Sequence, residues 1–533
     1  MEKPSEDTGK IARAAGTVGI AVMGSRVLGL VREQVFAALF GAGFAFDAFV
    51  VAFRIPNLLR DLFGEGALSA AFVSVFSDYD TNRGEEATWR LAGNVLVCIV
   101  ILLSLITLLG MVFAEPLIRF LVDADFEAVP GKVELTRRLT VIMFPFLLLV
   151  SCSSVVMGVL NTKGKFFLPA LASSFFNLGS IVSGVALALI LPRFGYPAIM
   201  GMAVGTLVGG LLQLVGQFPA LLKIGFVFRP RIDPRDPGLR RVFRLMVPAI
   251  IGLAPLQINI FVNTYFASSL VEGSLSWLNY AFRFFWFPVG LFGVALSVAA
   301  LPVIARHAAA KDLGQLRETL ASSLAMVFCL TLPATVGLIV LGEPIIRVIF
   351  EHGKFDAFTT ARTAEALTCY AVGLFAYAGV KLIVPVFYAL DKTRYPVLGS
   401  FLVTVCNIVI IFMMIDRFGH RALALSISLA MTLNFLFLST GLYRELQGFS
   451  MRYLLVGLGK VLFATLVMGG LLLGAKAGLA DWMGRGMVPA AVGLALLIAG
   501  SGLVYGLVLY WLRMQELMHL WEIFQQRRRR LQG

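Results

Sequence analysis

The chain has 533 residues, of which 59% are hydrophobic and 14% charged, and its formal net charge is +14. An average water-soluble domain carries about 25% charged residues, so most of this chain is predicted to lie in lipid. The surplus of positive charge is therefore assigned to loops that flank a membrane, and no nucleic-acid partner is expected.

Long apolar runs follow one another along the whole sequence. Each is long enough to cross about 30 Å of hydrocarbon as an α-helix. The runs lie near 13–40, 44–77, 89–113, 136–161, 168–191, 197–222, 242–269, 274–305, 316–342, 362–389, 395–415, 420–443, 452–475 and 487–512. The predicted fold class is thus an all-α polytopic membrane protein with about 14 transmembrane helices.

Lysine and arginine residues concentrate in alternate loops, and short cytoplasmic loops collect such residues. The segment 223–241 is the most basic of these loops and contains three prolines. Both termini are therefore predicted to be cytoplasmic. The arginine run 527–530 at the C-terminal end has two interpretations, a contact with acidic lipids or an anchor of the topology.

The segment 223–241 also divides the chain into parts. The predicted domains are an N-terminal six-helix bundle (1–222), a cytoplasmic basic linker (223–241), a C-terminal six-helix bundle (242–445), and appended helices thirteen and fourteen with a basic tail (446–533). The C-terminal helix pair lies outside any repeat between the two bundles.

Two sequence echoes indicate that the bundles are repeats. The segment 62–69 (LFGEGALS) returns as 291–297 (LFGVALS) with one residue deleted, and Ala52-Phe53-Arg54 returns as Ala281-Phe282-Arg283. Six spans separate the copies, so both have the same orientation in the membrane, as parallel repeats do. A substrate site in a cleft between the two bundles is the expected consequence.

Charged residues inside the apolar spans are the strongest functional signal. They are Arg26, Arg32 and Glu33 in span one, Asp47, Arg54, Arg60 and Asp61 in span two, Arg283 in span eight and Lys381 in span ten. One charge at mid-bilayer costs about 2.5–3.5 kcal/mol, so we expect the arginines to share an aqueous or anion-filled cavity. The alternative is that these residues form structural ion pairs at helix ends.

The spacing of the charges in span two predicts how they are arranged. Asp47, Arg54 and Asp61 are seven residues apart and fall near one helical stripe, so we expect the carboxylates to hold the arginines. A guanidinium group presents a planar fork of donors that matches phosphate oxygens. The pattern therefore favours a phosphorylated substrate.

Small residues at a regular spacing predict one close contact between helices. Gly201, Gly205 and Gly209 form a ridge at four-residue spacing, which lets another helix approach closely.

Other polar positions are less specific. Asn259, Asn263 and Asn407 either coordinate a coupling cation or form hydrogen bonds between helices. The sequence has no GxxxxGK[ST], HExxH or GxSxG motif, which argues against an enzyme. No cofactor is expected.

Several motifs resemble the MurJ (MviN) family of lipid II flippases, in the same order along nearly the whole chain. They are Ser25-Arg26-Val27-Leu28-Gly29, Phe40-Gly41-Ala42-Gly43, Asp47-Ala48-Phe49, Pro56-Asn57-Leu58-Leu59-Arg60, Gly64-Glu65-Gly66-Ala67-Leu68-Ser69, Phe287-Pro288 with residues 289–297, His352-Gly353-Lys354-Phe355 and Phe387-Tyr388-Ala389-Leu390-Asp391.

The resemblance implies the fold of the multidrug/oligosaccharidyl-lipid/polysaccharide exporter superfamily, with a cationic cavity and a terminal helix pair that forms a groove for the lipid tail. It implies that Arg26, Arg32, Asp47 and Arg283 are required charges, with Arg54, Arg60 and Glu65 in supporting positions. Trp286 occupies a position that is often acidic in the family. The family's cation site on spans seven and eleven corresponds here only to the three asparagines.

The resemblance also implies a function. The expected activity is alternating-access transfer of lipid II, an undecaprenyl-pyrophosphate-linked disaccharide peptide, from the inner to the outer leaflet of the bacterial cytoplasmic membrane. A monovalent cation or the membrane potential would drive it, and membrane lipids and cell-wall synthesis enzymes are candidate partners. Two alternatives stay open: a multidrug or polysaccharide-unit exporter of the same superfamily, and a non-transporting scaffold of the cell-wall machinery.

Overall fold

The structure is a computed structural model that describes residues 6–514, and this part of the chain contains helices and no strands. The chain forms two compact units. The first contains the residues up to Ser276 together with His352–Phe355, and the second contains Trp277–Glu351 and the residues from Asp356 onward. The all-α prediction is confirmed. The basic tail 527–530 lies outside the described residues.

The helices up to residue 268 belong to the first unit. They are α1 (Glu6–Phe40), α2 (Phe44–Arg60), α3 (Ala67–Asn82), α4 (Glu85–Val112), α5 (Ala114–Leu121), α6 (Ala124–Ala128), α7 (Lys132–Met143), α8 (Phe146–Thr162), α9 (Phe167–Ile190), α10 (Ile199–Val215), α11 (Phe218–Lys223) and α12 (Pro237–Ser268). A π-helical segment, π1 (Asp61–Gly66), joins α2 to α3, and a 3₁₀ turn (Leu191–Phe194) follows α9.

The remaining helices form the second unit, apart from the first turn of α13. They are α13 (Ser274–Pro288), α14 (Ala295–Ala309), α15 (Leu313–Phe350), α16 (Ala357–Ala371), α17 (Leu374–Ala389), α18 (Arg394–Phe418), α19 (His420–Glu445), α20 (Met451–Met483) and α21 (Met487–Trp511). A second π-helical segment, π2 (Val289–Val294), joins α13 to α14.

Every predicted span has a counterpart among these helices. In the described residues, 11 helices are long and apolar enough to cross a membrane, and the number rises to 12 when the bent pair α16–α17 counts as one span. The two other predicted spans are α1 and the segment α2–π1–α3, in which α2 ends after 17 residues. These counts are compatible with the predicted fourteen.

The two copies of the predicted repeat share a backbone feature. The segment 62–69 contains most of π1, and the segment 291–297 contains most of π2. A π-helical turn is rare, and it occurs here at matching positions in two spans that the sequence already related. The coincidence supports the duplication, whereas the domain boundaries predicted around 223–241 stay a prediction.

Within the first unit, loops that the topology assigns to the cytoplasmic face meet one another. Three ion pairs connect them: Lys163 with Asp80 at 2.6 Å, Arg229 with Glu86 at 2.7 Å, and Arg241 with Asp78 at 2.7 Å. The predicted linker is also fastened to α4, because the side chain of Asn94 binds both the N–H and the carbonyl of Asp233. The linker is therefore an ordered part of the first unit.

Small residues bring α9 and α10 close together, as the sequence predicted for Gly201, Gly205 and Gly209. A Cβ atom at Gly205 would lie only 2.8 Å from the Cα of Gly184 on α9. Two helices approach this closely only where side chains are absent, and such contacts replace the hydrophobic effect as a packing force in lipid. This prediction is confirmed.

The appended pair α20–α21 packs on α15 inside the second unit. Buried apolar side chains of the three helices, among them Val340, Leu472 and Leu497, form one cluster. A second cluster surrounds Cys329, whose carbonyl accepts a hydrogen bond of 2.6 Å from the hydroxyl of Tyr505. The long helix α15 is therefore the platform for the C-terminal pair.

Candidate functional site

The predicted arginines of α1 lie in different surroundings. Arg26 is exposed, and no ion pair of this residue is present in the described part of the chain. Arg32 is half-buried: its guanidinium forms a 2.6 Å ion pair with the buried Glu33 and lies over the ring of Phe176, 5.2 Å from its centroid. Arg26 is thus available to an anion, while Arg32 is held in place by a carboxylate and an aromatic face.

The two arginines of span two are both half-buried. Arg54 lies in the middle of α2. Arg60, at the end of α2, forms a 2.9 Å ion pair with the neighbouring Asp61, which also accepts a 3.5 Å contact from the amide of Gln257. The backbone of Glu65 is part of π1, but its side chain lies outside the described residues.

Asp47 differs from its expected arrangement, because its partners are not arginines. It is 2% exposed, and its Oδ2 accepts a 2.8 Å hydrogen bond from the N–H of Gly273. Its Oδ1 accepts hydrogen bonds from the N–H of Ser276 at 3.0 Å and from the hydroxyl of Ser276 at 2.6 Å. The Nζ of Lys132, also buried, lies 3.3 Å from Oδ2.

The position of Asp47 explains these partners. It lies in the first turn of α2, which is a full two turns from Arg54 along the helix axis. There it faces the N-terminus of α13 and the first residue of α7, Lys132. Seven-residue spacing fixes the direction of a side chain around the axis, but it does not fix the depth at which a partner is found.

A second carboxylate completes a reciprocal arrangement. The Oε1 of Glu272, just before α13, accepts a 3.0 Å hydrogen bond from the N–H of Phe44, the first residue of α2. Asp47 in α2 in turn accepts hydrogen bonds from the N-terminus of α13. Glu272 therefore caps the N-terminus of α2, and Asp47 caps the N-terminus of α13. Each carboxylate lies at the positive end of the dipole of the helix that it caps.

The residues of this junction are related by the sequence offset of the predicted repeat. Asp47 and Ser276 are 229 residues apart, which is also the separation of Arg54 and Arg283. The same separation relates Gly43 to Glu272. We call the group Asp47, Lys132, Glu272 and Ser276 the capping junction.

Sequence patterns predicted no role for Lys132 or Glu272. Lys132 lies in a loop that is mainly acidic, and Glu272 lies eleven residues before Arg283. One signal was present: the offset of the repeat pairs the start of α2 with the start of α13, and both starts carry an acid nearby.

The segment His352–Phe355 rests on the C-terminal end of α1 within the first unit. The N–H of Lys354 donates a 2.9 Å hydrogen bond to the carbonyl of Ala38. Gly41 and Gly353 both have positive φ angles, 63° and 59°, and a Cβ on either would clash with the opposite backbone. Two of the motifs that carried the family resemblance therefore meet in one contact.

In the second unit, Arg283 is exposed on α13. Three residues later, Trp286 lies under the Nζ of Lys381 from α17, with 5.7 Å between Nζ and the ring centroid. Aromatic rings of Phe282 and Tyr377 pack around Trp286 at 5.8 Å and 6.2 Å. An aromatic face thus stands where the family often has an acid, and it stabilises the neighbouring ammonium group.

The three asparagines are engaged by protein groups. The amide of Asn263 donates to the carbonyl oxygen and to the Oδ1 of Asn259, both at 2.7 Å. Asn407 is fully buried in the second unit and accepts a 2.8 Å hydrogen bond from Ser426 of α19. Within residues 6–514, no group of three His, Cys, Asp or Glu residues is arranged to hold a metal ion.

Long apolar helices, arginines inside the predicted spans and buried polar junctions together define a polytopic membrane transporter. Solved structures agree with this class. An inward-facing multidrug transporter of the MATE family, from the MOP superfamily, is similar over 79% of this chain and 94% of its own, with a TM-score of 0.67 at 16% identity. At that identity, the likeness concerns the fold alone.

More specific similarities identify the family. The family model "Lipid II flippase MurJ" matches residues 36–514. The lipid II flippase MurJ of Burkholderia cenocepacia is 36% identical over 81% of this chain and 84% of its own length. The probable lipid II flippase MurJ of Buchnera aphidicola subsp. Acyrthosiphon pisum is 35% identical over 85% and 88%.

A solved structure supports the same family. The inward-closed structure of a lipid II flippase MurJ has a TM-score of 0.76 and 26% identity, over 93% of this chain and 99% of its own. The chain belongs to the MurJ lipid II flippase family. It is accordingly a transporter and not a catalytic enzyme, and its place is the inner membrane.

Proposed function

We propose that the protein carries lipid II from the inner to the outer leaflet of the cytoplasmic membrane by alternating access, with both termini in the cytoplasm. The observation that carries this proposal is the family match over residues 36–514, combined with exposed arginines inside predicted spans. An exposed guanidinium in a membrane helix is too costly to face lipid, so its surroundings contain water or an anion.

In this proposal, the pyrophosphate of lipid II binds Arg26, Arg32 and Arg283, and Arg54 and Arg60 support the site. Arg26 and Arg283 are exposed, which suits direct contact with phosphate oxygens. Arg32 and Arg60 each have an acidic neighbour that holds the guanidinium in position, so these groups would meet the lipid headgroup already oriented. Glu65 belongs to the same group by its position in π1.

We assign Asp47 to gating. The capping junction connects α2, α7 and the start of α13. Its Asp47, Lys132 and Ser276 are almost fully buried, and the topology assigns its loops to the external face. Breaking it requires Asp47 and Lys132 to become hydrated, which returns much of the desolvation cost of the pair. The junction is thus suited to two discrete states: a closed state in which Asp47 and Lys132 are buried together, and an open state in which water hydrates both.

Either a monovalent cation or the membrane potential would supply the energy for transport. Asn259, Asn263 and Asn407 offer neutral oxygen ligands, which suit a monovalent cation if their present hydrogen bonds rearrange. Membrane potential is the other source: moving one charge across it involves about 2.3 kcal/mol per 100 mV. No resident cofactor is required by either route.

Two other functions agree less well with these observations. A multidrug exporter would share the fold, as the MATE similarity illustrates, but that similarity is at 16% identity against 26% for the MurJ structure. A non-transporting scaffold would have no need of exposed arginines in its spans.

The test is replacement in living cells. Bacteria depleted of their own flippase would express this chain, and an external probe would measure how much lipid II is exposed on the outer leaflet. We expect the chain to restore exposure and growth. Restored growth without outward lipid II would favour the scaffold, and failure to restore exposure by a well-expressed chain would contradict the proposal.

The gate has its own test. Ser276→Cys, which lies at a fully buried position, is expected to resist a membrane-impermeant thiol reagent while the junction is closed. In an Asp47→Asn background, the same cysteine should become labelled from outside. The parental chain with its native cysteines is the control, and equal labelling in both backgrounds would remove Asp47 from the gate.

A further inference from the structure

A polar cavity of about 430 Å³ lies in the second unit, between four helices. The C-terminal parts of α15 and α20, the first turn of α19 and one side of α16 contribute to it. Its principal lining residues are Val340, Glu343, Glu365, Cys369, Arg421 and Lys476. None of the residues assigned to lipid II binding lines this cavity.

The positive groups of the cavity have unused donors. The Nζ of Lys476 donates one hydrogen bond, of 2.8 Å, to the carbonyl of Val340, and an ammonium group has three donors. The Nε of Arg421 lies 3.7 Å from Glu365, which is an ion-pair contact longer than a hydrogen bond. Two cations therefore face the cavity with donors to spare.

The acidic groups are more fully engaged. Glu365 is contacted by Arg362 at 3.2 Å and by His420 at 3.4 Å in addition to Arg421. Glu343 accepts a 2.9 Å hydrogen bond from Arg347 at Oε1, while its Oε2 accepts none from the described residues. The cavity thus offers several donors and one free carboxylate oxygen, a combination that suits a phosphate joined to an amine.

The position along the helices indicates where such a ligand comes from. Glu343 and Lys476 lie about two turns before the C-terminal ends of α15 and α20, and Arg421 lies in the first turn of α19. Glu365 lies in the N-terminal half of the bent span α16–α17. All four regions belong to the predicted external face. Long cationic side chains at this depth reach the headgroup region, where phosphates of membrane lipids are found.

We propose that this cavity binds the zwitterionic headgroup of a glycerophospholipid from the outer leaflet, of the phosphoethanolamine class. Lys476 and Arg421 hold the phosphate, and Glu343 accepts from the amine. Because Lys476 belongs to α20 and the other ligands belong to α15 and α19, the lipid fastens the C-terminal helix pair to the helices beside it. This site is independent of lipid II transport.

The experiment measures lipid binding to the purified full-length protein in detergent by native mass spectrometry. The probes are phosphatidylethanolamine, phosphatidylglycerol and free phosphoethanolamine. We expect phosphatidylethanolamine to bind most tightly, and Lys476→Gln and Arg421→Gln to weaken it about tenfold or more each, because a hydrogen bond to a charged group contributes about 1.5–3 kcal/mol. Lys476→Arg should retain binding and guards against a folding defect.

Lys460→Gln is the matched control. It lies on the same helix, and its Nζ binds the carbonyl of Arg513 far from the cavity, so lipid binding should be unchanged. The proposal is overturned if Lys476→Gln and Lys460→Gln bind equally, if phosphatidylglycerol binds as tightly as phosphatidylethanolamine, or if free phosphoethanolamine binds as tightly as the intact lipid.

Discussion

The segment α2–π1 and its counterpart α13–π2 share a backbone but not a chemistry. Both end in a π-helical turn and both carry an arginine at the matching position, Arg54 in one and Arg283 in the other. The first copy adds further charges, among them Asp47, Arg60 and Asp61, whereas in the second copy the residues next to the arginine in sequence are aromatic. The arginine is the only charge that both copies retain.

This difference separates two kinds of constraint. The π-helical turn belongs to the fold, because it persists where the surrounding side chains have changed. Two charges of the first copy each contact a particular partner on another helix: Lys132 for Asp47 and Gln257 for Asp61. The arginine common to both copies is the feature best suited to a shared ligand.

The largest expected effect is a loss of stability when a charge that only the first copy carries is removed. Asp47→Asn leaves the ammonium group of Lys132 buried without a carboxylate, and uncompensated buried charges cost about 3–5 kcal/mol. We expect a corresponding fall in the free energy of unfolding, measured by denaturant titration in detergent. Ser276→Ala, in the second copy, removes one hydrogen bond to this carboxylate and should cost less, about 1.5–3 kcal/mol, because Asp47 keeps its other partners.

A double variant tests the cause of this effect. Asp47→Asn combined with Lys132→Met removes both charges, and we expect it to recover most of the lost stability. If the double variant is as unstable as Asp47→Asn alone, the loss comes from helix capping and not from the unpaired lysine.

The two glycines of the π-helical turns give the next largest effect. A Cβ at Gly66 would clash with the carbonyl of Asp61 inside π1 itself, and one at Gly293 would lie 2.9 Å from the Cα of Ala378 on α17. Gly66→Ala should therefore destabilise by about 1–3 kcal/mol and disrupt π1. Gly293→Ala should cost less, because α17 can shift away.

Thermal unfolding of the two alanine variants checks this order. Gly252→Ala is a suitable control, since nothing lies within 4 Å of the position that its Cβ would occupy. A greater loss in Gly293→Ala than in Gly66→Ala would mean that the contact between helices, and not the π-helical backbone, sets the requirement for glycine.

The smallest expected effect concerns Glu272. Glu272→Gln keeps a weaker cap on the N–H of Phe44 and removes the negative charge from the end of the α2 dipole, which contributes about 0.3–1 kcal/mol. The loss should shrink at high salt, because exposed charges are screened. A salt-independent loss would contradict the electrostatic part of the cap.

The sequence predicted the parts of the molecule that depend on local composition. The spans follow from runs of apolar residues, and the approach of α9 to α10 follows from Gly201, Gly205 and Gly209. The partners of Asp47 could not be predicted, because Lys132 and Ser276 are distant in sequence and their depth depends on how α7 and α13 begin. The spacing indicated the stripe on which Asp47 lies but not its neighbour.

The sequence predicted which residues belong to the candidate site, but it did not predict which of their side chains are exposed and which contact other residues. Charges in apolar spans singled out Arg26, Arg32 and Arg283, yet nothing in the sequence distinguished the exposed Arg26 from Arg32, which is held by Glu33. The aromatic surroundings of Lys381 depend on side-chain packing between α13 and α17 and were likewise hidden.

The central claim is our proposal that Arg26 and Arg283, both exposed in predicted spans, bind the diphosphate of the transported lipid. The most direct test is transport of a fluorescent lipid II by the purified protein in vesicles, comparing Arg26→Gln and Arg283→Gln with Arg193→Gln, an arginine of the 3₁₀ turn. Each of the first two should slow transport about tenfold or more, while Arg193→Gln should not. Transport at the rate of the parental protein in Arg26→Gln and Arg283→Gln would contradict the claim.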